Sequence, residues 1–523
     1  MIVNSINNAM SVNSNYELKR KDNENQNRLA DCPIESQKPL IKVPQNIAMA
    51  HFGVIPSFGK KEKVELPKTP EFEYVNSLPF ADDLTTQDKI SLSQVLEKKD
   101  EQTNYMKQLI DLACEDKVTP FATASLCSHG KMSDYVVKDL ETYNYAKENN
   151  IPLEEAFCPT YASQAEANSL VEAGEVFKVE GEDNIYVKHN DHESTQLKMD
   201  RDTYMELFPP ISRYASSQGG TGDCYLLSSI NSIMENPYSR ATLYGCFTQK
   251  GDDIEMQLPN GLATAVCPDK HLPENADLSK YSNGPMGMKM LEHIYGKEVE
   301  AQTNKEYDEL MTKEFAKMEK DLARWQKKPA KDSLAQKKVK DLTKRIANWK
   351  IGQERVEEAR KNPDSKLVFV KDDYDNFIIG KYGPMTSPVY KLDSDYESPA
   401  DYYRGGLGGL MDVALQNFGF ENVENFYVGE DDRKLDVILN DKNPDKYIIT
   451  AGTHAEQEGG MEQPQEVEYS IYSSHAYKVL PYDNEDGERR FKVTNPWNQS
   501  HMVDMDAEKL KEFFADFSIA KVA

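Results

Sequence analysis

The chain places a thiol where a thiol can become a nucleophile. In "SQGGTGDCYLLSSINSIMENP" (Ser217–Pro237) three glycines and Asp223 lead into Cys224, and an apolar helical rhythm begins at once. A cysteine attacks as the thiolate, whereas a free thiol is mostly protonated at neutral pH. The unpaired N–H groups and partial positive charge of a helix N-terminus favour the anion. Asp223 reads as an N-cap, Leu227, Ile230, Ile233 and Met234 as a buried stripe, and Asn236-Pro237 as a stop, so a helix is expected over 224–236. The glycines suit a tight loop approached closely by another group. Taken alone, such a cysteine is structural more often than reactive.

A reactive thiol needs an imidazole to share its proton and a third group to hold that imidazole. Nine histidines are available. "SSHAYKVLPYDNEDGERRFKVTNPWN" puts His475 on one alternating strand and Asn495 on the next, with turn composition at Asn484–Gly487. Pairing about that turn sets residue 479 opposite 491 and 475 opposite 495. His475, Tyr477 and Val479 then share one face, as do Phe491, Val493 and Asn495 on the partner. Opposed side chains lie roughly 5 Å apart at Cβ, within reach of a hydrogen bond between histidine and asparagine. A one-residue slip would destroy that contact.

The elements that must position these groups follow from periodicity. Residues 1–68 are rich in Asn, Ser, Lys and Pro and are expected to be disordered. Residues 69–200 form a mostly helical region, with Tyr105, Met106, Leu109, Ile110 and Ala113 on one stripe and a β-hairpin at 176–188. This region either restrains the site, with segment 69–172 near the cleft, or recruits substrates. Residues 201–425 carry the cysteine and contain a helical hairpin at 303–361. In it Tyr307, Met311, Phe315, Met318, Leu322 and Trp325, and then Val339, Leu342, Ile346, Trp349 and Val356, step by threes, fours and sevens. Residues 426–523 form a β-rich part bearing His475 and Asn495. The architecture is α+β.

Composition narrows the function classes. The net charge of −26 and pI near 4.9 disfavour nucleic acid as a partner. No apolar run is long enough to span a bilayer. The N-terminal residues lack a secretory pattern, which points to a cytoplasmic or other intracellular location and leaves non-classical export open. The seven cysteines are scattered without CxxC spacing, so neither a disulfide framework nor a zinc site is expected.

"QGGTGDCYLL" (Gln218–Leu227) resembles the calpain signature Q-G-x-x-G-D-C-W-L-L, and "HAY" (475–477) and "NPW" (495–497) resemble that family's histidine and asparagine motifs in the same order. The resemblance runs from Phe208 to the last residue, apart from the helical hairpin, and is to a short bacterial-type member lacking the downstream calcium-binding domains. It implies a papain-like core with a helical cysteine lobe and a β-rich lobe. It implies that Cys224 is the nucleophile, His475 its acid–base partner and Asn495 the orienting group. Gln218 would join the Cys224 N–H as oxyanion donor, with Asp223 and Trp497 in support. Gly405, Gly406, Gly408, Gly409 and Ser474 would meet substrate. The function implied is hydrolysis of peptide bonds in proteins or peptides.

The chain departs from the family in places. Tyr225 replaces Trp, and Asn498 replaces Gly. Ala215 stands where animal members carry an acidic calcium ligand, and "NQSHMVDMDAEKL" replaces W-x-G-x-W-S-D. No EF-hand pattern is present. No metal and no cofactor are therefore expected. The alternatives are a silent relative that binds peptides or scaffolds a partner through 303–361, and a papain-like amidase or transglutaminase. Retention of Cys, His, Asn and Gln argues against the first, and the glycine loop against the second.

Overall fold

The computed structural model describes residues 66–84, 86–115, 127–128, 131–132, 134–190, 192–213, 216–219, 222–274, 276, 278, 280–361, 365–369, 376–390, 409–430, 432–453, 471–472, 475–484 and 486–522. Residues 1–65 of the segment expected to be disordered lie outside this set, as do Ala215, Gly405, Gly406, Gly408 and Ser474. The architecture is mixed α+β.

Alternating strands in the C-terminal part pair into a six-stranded antiparallel sheet. Its order is Val423–Tyr427, Phe514–Lys521, Tyr447–Thr453, Ala476–Asp483, Arg489–Asn495, Asn498–Met505. The two-residue period sorts side chains onto two faces. Ile449, Ala451, Tyr477, Val479, Phe491, Val493, Phe517 and Ile519 pack beneath helices Asp432–Leu439 and Ala507–Phe513. Ile448, Ala476 and Ala520 face the other way and join the core that holds helix Cys224–Glu235.

That cysteine helix is buried all round, not along one stripe: Tyr225 to Glu235 are all buried. Its small polar residues are spent on neighbouring backbone. Ser232 Oγ donates to the Ile449 carbonyl (3.3 Å), and Asn231 Nδ2 to the Ser216 carbonyl (2.9 Å). Asn236 Nδ2, just past the helix, donates to the Asp445 carbonyl (2.8 Å). The helix thereby docks on the face of the sheet, across the histidine strand Ala476–Asp483 and its neighbour Tyr447–Thr453.

The histidine and asparagine strands pair with Val479 opposite Val493 and Asp483 opposite Arg489. The register is thus two residues away from the 479–491 pairing expected from sequence. The connection is one residue longer than that turn: Asn484 N–H donates to the Glu488 carbonyl, Asn484 Oδ1 accepts the N–H groups of Asp486 and Glu488, and Gly487 adopts φ +76°. A slip of two preserves both faces.

Upstream, strands Val176–Val179 and Ile185–Lys188 pair within a four-stranded sheet, and helices between Thr86 and Asn149 bury Val95, Met106, Leu109, Val136 and Leu140 in a core shared with Ile211. Arg213 locks this region to the segment entering the thiol loop, pairing with buried Asp139 at 2.7 Å and donating to the Tyr204 hydroxyl at 3.0 Å. Strand Cys127–Ser128 lies beside Asn498–Met505.

The hairpin is made of helices Met286–Gln326 and Ser333–Lys361. Its first helix starts within the main core and runs without a break into the projecting part, where Tyr307, Met311, Met318, Trp349, Val356 and Phe369 form a separate cluster.

Candidate active site

His475 immediately precedes its strand, and Asn495 ends the neighbouring one at a register shift between Thr494 and Asn495. Although they are not directly opposed, His475 Nε2 lies 2.8 Å from Asn495 Oδ1, a diagonal contact of the kind a sheet allows. The same oxygen accepts the Trp497 backbone N–H at 2.8 Å. That backbone donor identifies the atom facing it as the amide oxygen, so His475 Nε2 carries the proton and Nδ1 is left as the basic nitrogen. Trp497 covers the imidazole with ring centroids 4.1 Å apart, and Tyr477 meets it edge-on at 5.0 Å. The His475 N–H donates to Thr453 Oγ1 (3.0 Å), which fixes the residue to the adjacent strand.

Cys224 opens its helix, and the backbone N–H of Ala476, next to His475, points at its sulfur. The thiol thus meets the histidine strand directly. Among the described residues no hydrogen bond joins Cys224 Sγ to the imidazole. Gln218 is held beside the asparagine motif by its backbone N–H, which donates to the Pro496 carbonyl at 2.7 Å. Gly409 lies over the residue after the thiol: a Cβ added there would sit 2.3 Å from the Tyr225 ring.

The electrostatics differ from the expectation of a preformed thiolate. Burial pushes the Cys224 thiol up to about 11, against the opposing pull of the Ala476 N–H. Burial pushes His475 down to about 4, opposed by its bond to Asn495. Thiol and imidazole are therefore both neutral at rest, because desolvation outweighs the helix terminus. At rest, therefore, Cys224 is not set apart as the most readily alkylated cysteine. Cys158, Cys246 and Cys267 are buried with thiols raised to about 12, but Cys114 is exposed.

Asp223 is also not the side-chain cap expected from sequence. Its carbonyl accepts the N–H groups of Leu226 and Leu227 at 2.9 and 3.0 Å, but its carboxyl group makes no cap bond. The side chain turns inward toward Glu292 on the long helix.

Local patterns gave no sign of the loop that clamps the glycines. Asn283 N–H donates to the Ser217 carbonyl at 2.8 Å, and the Tyr281 carbonyl lies so near Gly219 that an added Cβ would fall 1.9 Å from its oxygen. Gly219→Ala should therefore displace backbone on one side or the other, costing about 1–3 kcal/mol as overpacking does. Gln218 should move with the loop. A urea midpoint equal to wild type would contradict the clamp. No family model matches the chain, and no curated protein does.

Proposed function

We propose that the chain is a calpain-like cysteine endopeptidase with a papain-like two-lobed core, acting on peptide bonds in proteins. The observation that carries the reading is the doubly bonded Asn495 Oδ1, which orients His475 with its free nitrogen outward while the thiol helix abuts the same strand. Substrate lies across the groove near Gly409. His475 Nδ1 takes the thiol proton as sulfur attacks the carbonyl carbon. The developing oxyanion receives the Cys224 N–H and the Gln218 amide. The imidazolium returns its proton to the leaving amine, and water then hydrolyses the thioester. Gly405, Gly406, Gly408 and Ser474 belong to the substrate-binding part of the proposal, and Trp497 shields the His475–Asn495 bond. The arm offers a protein partner a surface, and no helix among the described residues is long and apolar enough to cross a membrane.

The neutral resting pair has a consequence for pH. The imidazole must be unprotonated to accept the thiol proton, and burial has moved it down to about 4. Activity is lost only as pH falls through that value. The acid limb of kcat/KM should lie near pH 4, not near the usual histidine value of about 6.5. A limb near neutrality would show that substrate meets a solvated imidazole. Asn495→Ala should cost less than His475→Ala, because it frees the imidazole without removing it.

The deciding experiment incubates the purified chain with casein, with calcium or with chelator, beside His475→Ala. Hydrolysis by the wild type in both conditions, absent in the variant, is expected, since Ala215 and the segment after Trp497 lack the acidic side chains of calcium-dependent relatives. Casein left intact under every condition would sink the peptidase reading. Activity appearing only with calcium would overturn the calcium-free part.

A further inference from the structure

Two carboxyl groups lie buried directly behind the thiol, and the reaction proposed above uses neither. Asp223 and Glu292 are both 0% exposed. Neither oxygen of Asp223 accepts a hydrogen bond from an N–H or O–H group of another described residue. Its polar neighbour is the Glu292 carboxyl group, near enough for one carboxyl to bond the other when either carries a proton. Glu292 is differently placed. Both of its oxygens accept the Ser282 backbone N–H, at 3.1 and 2.9 Å.

Two ionised carboxylates cannot bond to each other, and their repulsion is strong where water is excluded. The contact becomes attractive only when one group is an acid. Ser282 donates to Glu292 and so favours charge there, which leaves Asp223 as the group that carries the proton. We infer that Asp223 and Glu292 share a single proton, donated by the Asp223 carboxylic acid to the Glu292 carboxylate, and that this bond positions the start of the cysteine helix.

The connections run both ways from that bond. Asp223 is covalently next to Cys224, and its carbonyl begins the helix. Glu292 holds Ser282, whose neighbours Tyr281 and Asn283 clamp Gly219 and Ser217. The shared proton therefore ties both sides of the thiol loop to the long helix. Other titratable groups surround it. Lys289 lies one turn before Glu292, and burial pushes its ammonium group below the usual range while Glu292 opposes the shift. His293 Nδ1 lies 2.8 Å from the Tyr281 hydroxyl, Tyr225 and Tyr295 meet edge-on, and an ionised Asp223 would push the Cys224 thiol up. Burial raises both carboxyls, Glu292 to about 7 and Asp223 well beyond the usual carboxylate range. Burial thus favours keeping the last proton on the pair. Its loss puts a second negative charge beside the thiol and opposes thiolate formation.

The inference assigns Asp223 and Glu292 as positioning residues, and it rests on the reading of Cys224 as a nucleophile. Its test does not need peptide turnover. First, the infrared C=O stretch of a protonated carboxyl group should be present in wild type at pH 7 and absent in Asp223→Asn. Second, the alkylation rate of Cys224 is followed against pH by mass spectrometry of its own peptide, which separates it from Cys114. In wild type the rise with pH should be shallower than one ionisation, as the pair loses its proton. In Asp223→Asn the amide donates to Glu292 at every pH, and the rise should sharpen to a single ionisation. In Glu292→Ala, alkylation at neutral pH should be about tenfold slower, one pKa unit on the thiol. Absence of the acid band in wild type, or identical profiles for wild type and Asp223→Asn, would overturn the inference. Should Glu292→Ala fail to fold, the isosteric Asp223→Asn still decides. A peptidase reading that fails on casein leaves these measurements intact.

Discussion

On the proposed function, Cys224→Ala is expected to reduce peptide hydrolysis by roughly 10⁴-fold or more, to the level that binding and oxyanion donors alone sustain. The size follows from the arrangement. His475 is oriented by Asn495 and covered by Trp497, and among the described residues Cys224 is the nucleophile beside the Ala476 N–H. The variant should fold as wild type, since Cys224 is only partly buried and alanine suits the first position of the helix. A labelling experiment separates this from trivial inactivation. A small haloacetamide should modify the exposed Cys114 first, because the resting Cys224 thiol is pushed up to about 11. An electrophile on a peptide that fills the groove should reverse that order, since the histidine takes the proton during attack. Turnover persisting in Cys224→Ala would remove the assignment, and equal labelling of Cys114 by both reagents would remove the induced ionisation.

The second large effect is on stability. Glu235, the last residue of the cysteine helix, is ion-paired with Lys478 on the histidine strand, and the two side chains are only 9% and 4% exposed. Removing one partner strands a charge in the core. Lys478→Ala or Glu235→Ala should therefore cost about 3–5 kcal/mol, read as a lower urea midpoint. Replacing both by apolar residues of similar volume, Lys478→Met with Glu235→Leu, should recover most of that loss, since paying to desolvate two ions is avoided. Single variants with unchanged midpoints would mean that water reaches the pair. Because the pair ties the thiol helix to the imidazole strand, the singles should also lose activity more steeply than stability, whereas the apolar double should regain stability first.

What could be read from the amino acids alone divides by the range of the interactions. Cys224, His475 and Asn495 stood out because each lies in a short pattern, a glycine loop before an apolar helix or an alternating strand beside a turn. The two faces of the hairpin were legible from the period of two, and the α+β class from the mixture of periods. The register was not, because it depends on how Asn484 Oδ1 organises the turn, and a two-residue slip leaves the pattern unchanged. The neutral thiol was not, because desolvation depends on everything packed around it. Asp223 looked like a cap since aspartate usually is one, yet its partner Glu292 lies on a distant helix. Residue 292 is glutamate in an apolar stretch, "MGMKMLEHIYG", and only its burial distinguishes it from a surface charge.

The long helix has 41 residues, about 60 Å of continuous backbone. Its first turns carry Glu292 in the main core, while its far half belongs to a cluster of its own around Trp349 and Met311. Two cores strung on one rod need not melt together. Gln302 marks the seam, donating to Glu298 at 2.9 Å and Asn417 at 3.0 Å. Heat or denaturant can unwind the outer half as far as that seam while the thiol loop keeps its clamp. Amides beyond residue 305 should then exchange with solvent deuterium through a smaller opening than those of residues 286–298. The rod thus behaves as a fuse, failing outward from the seam before the chemistry is touched.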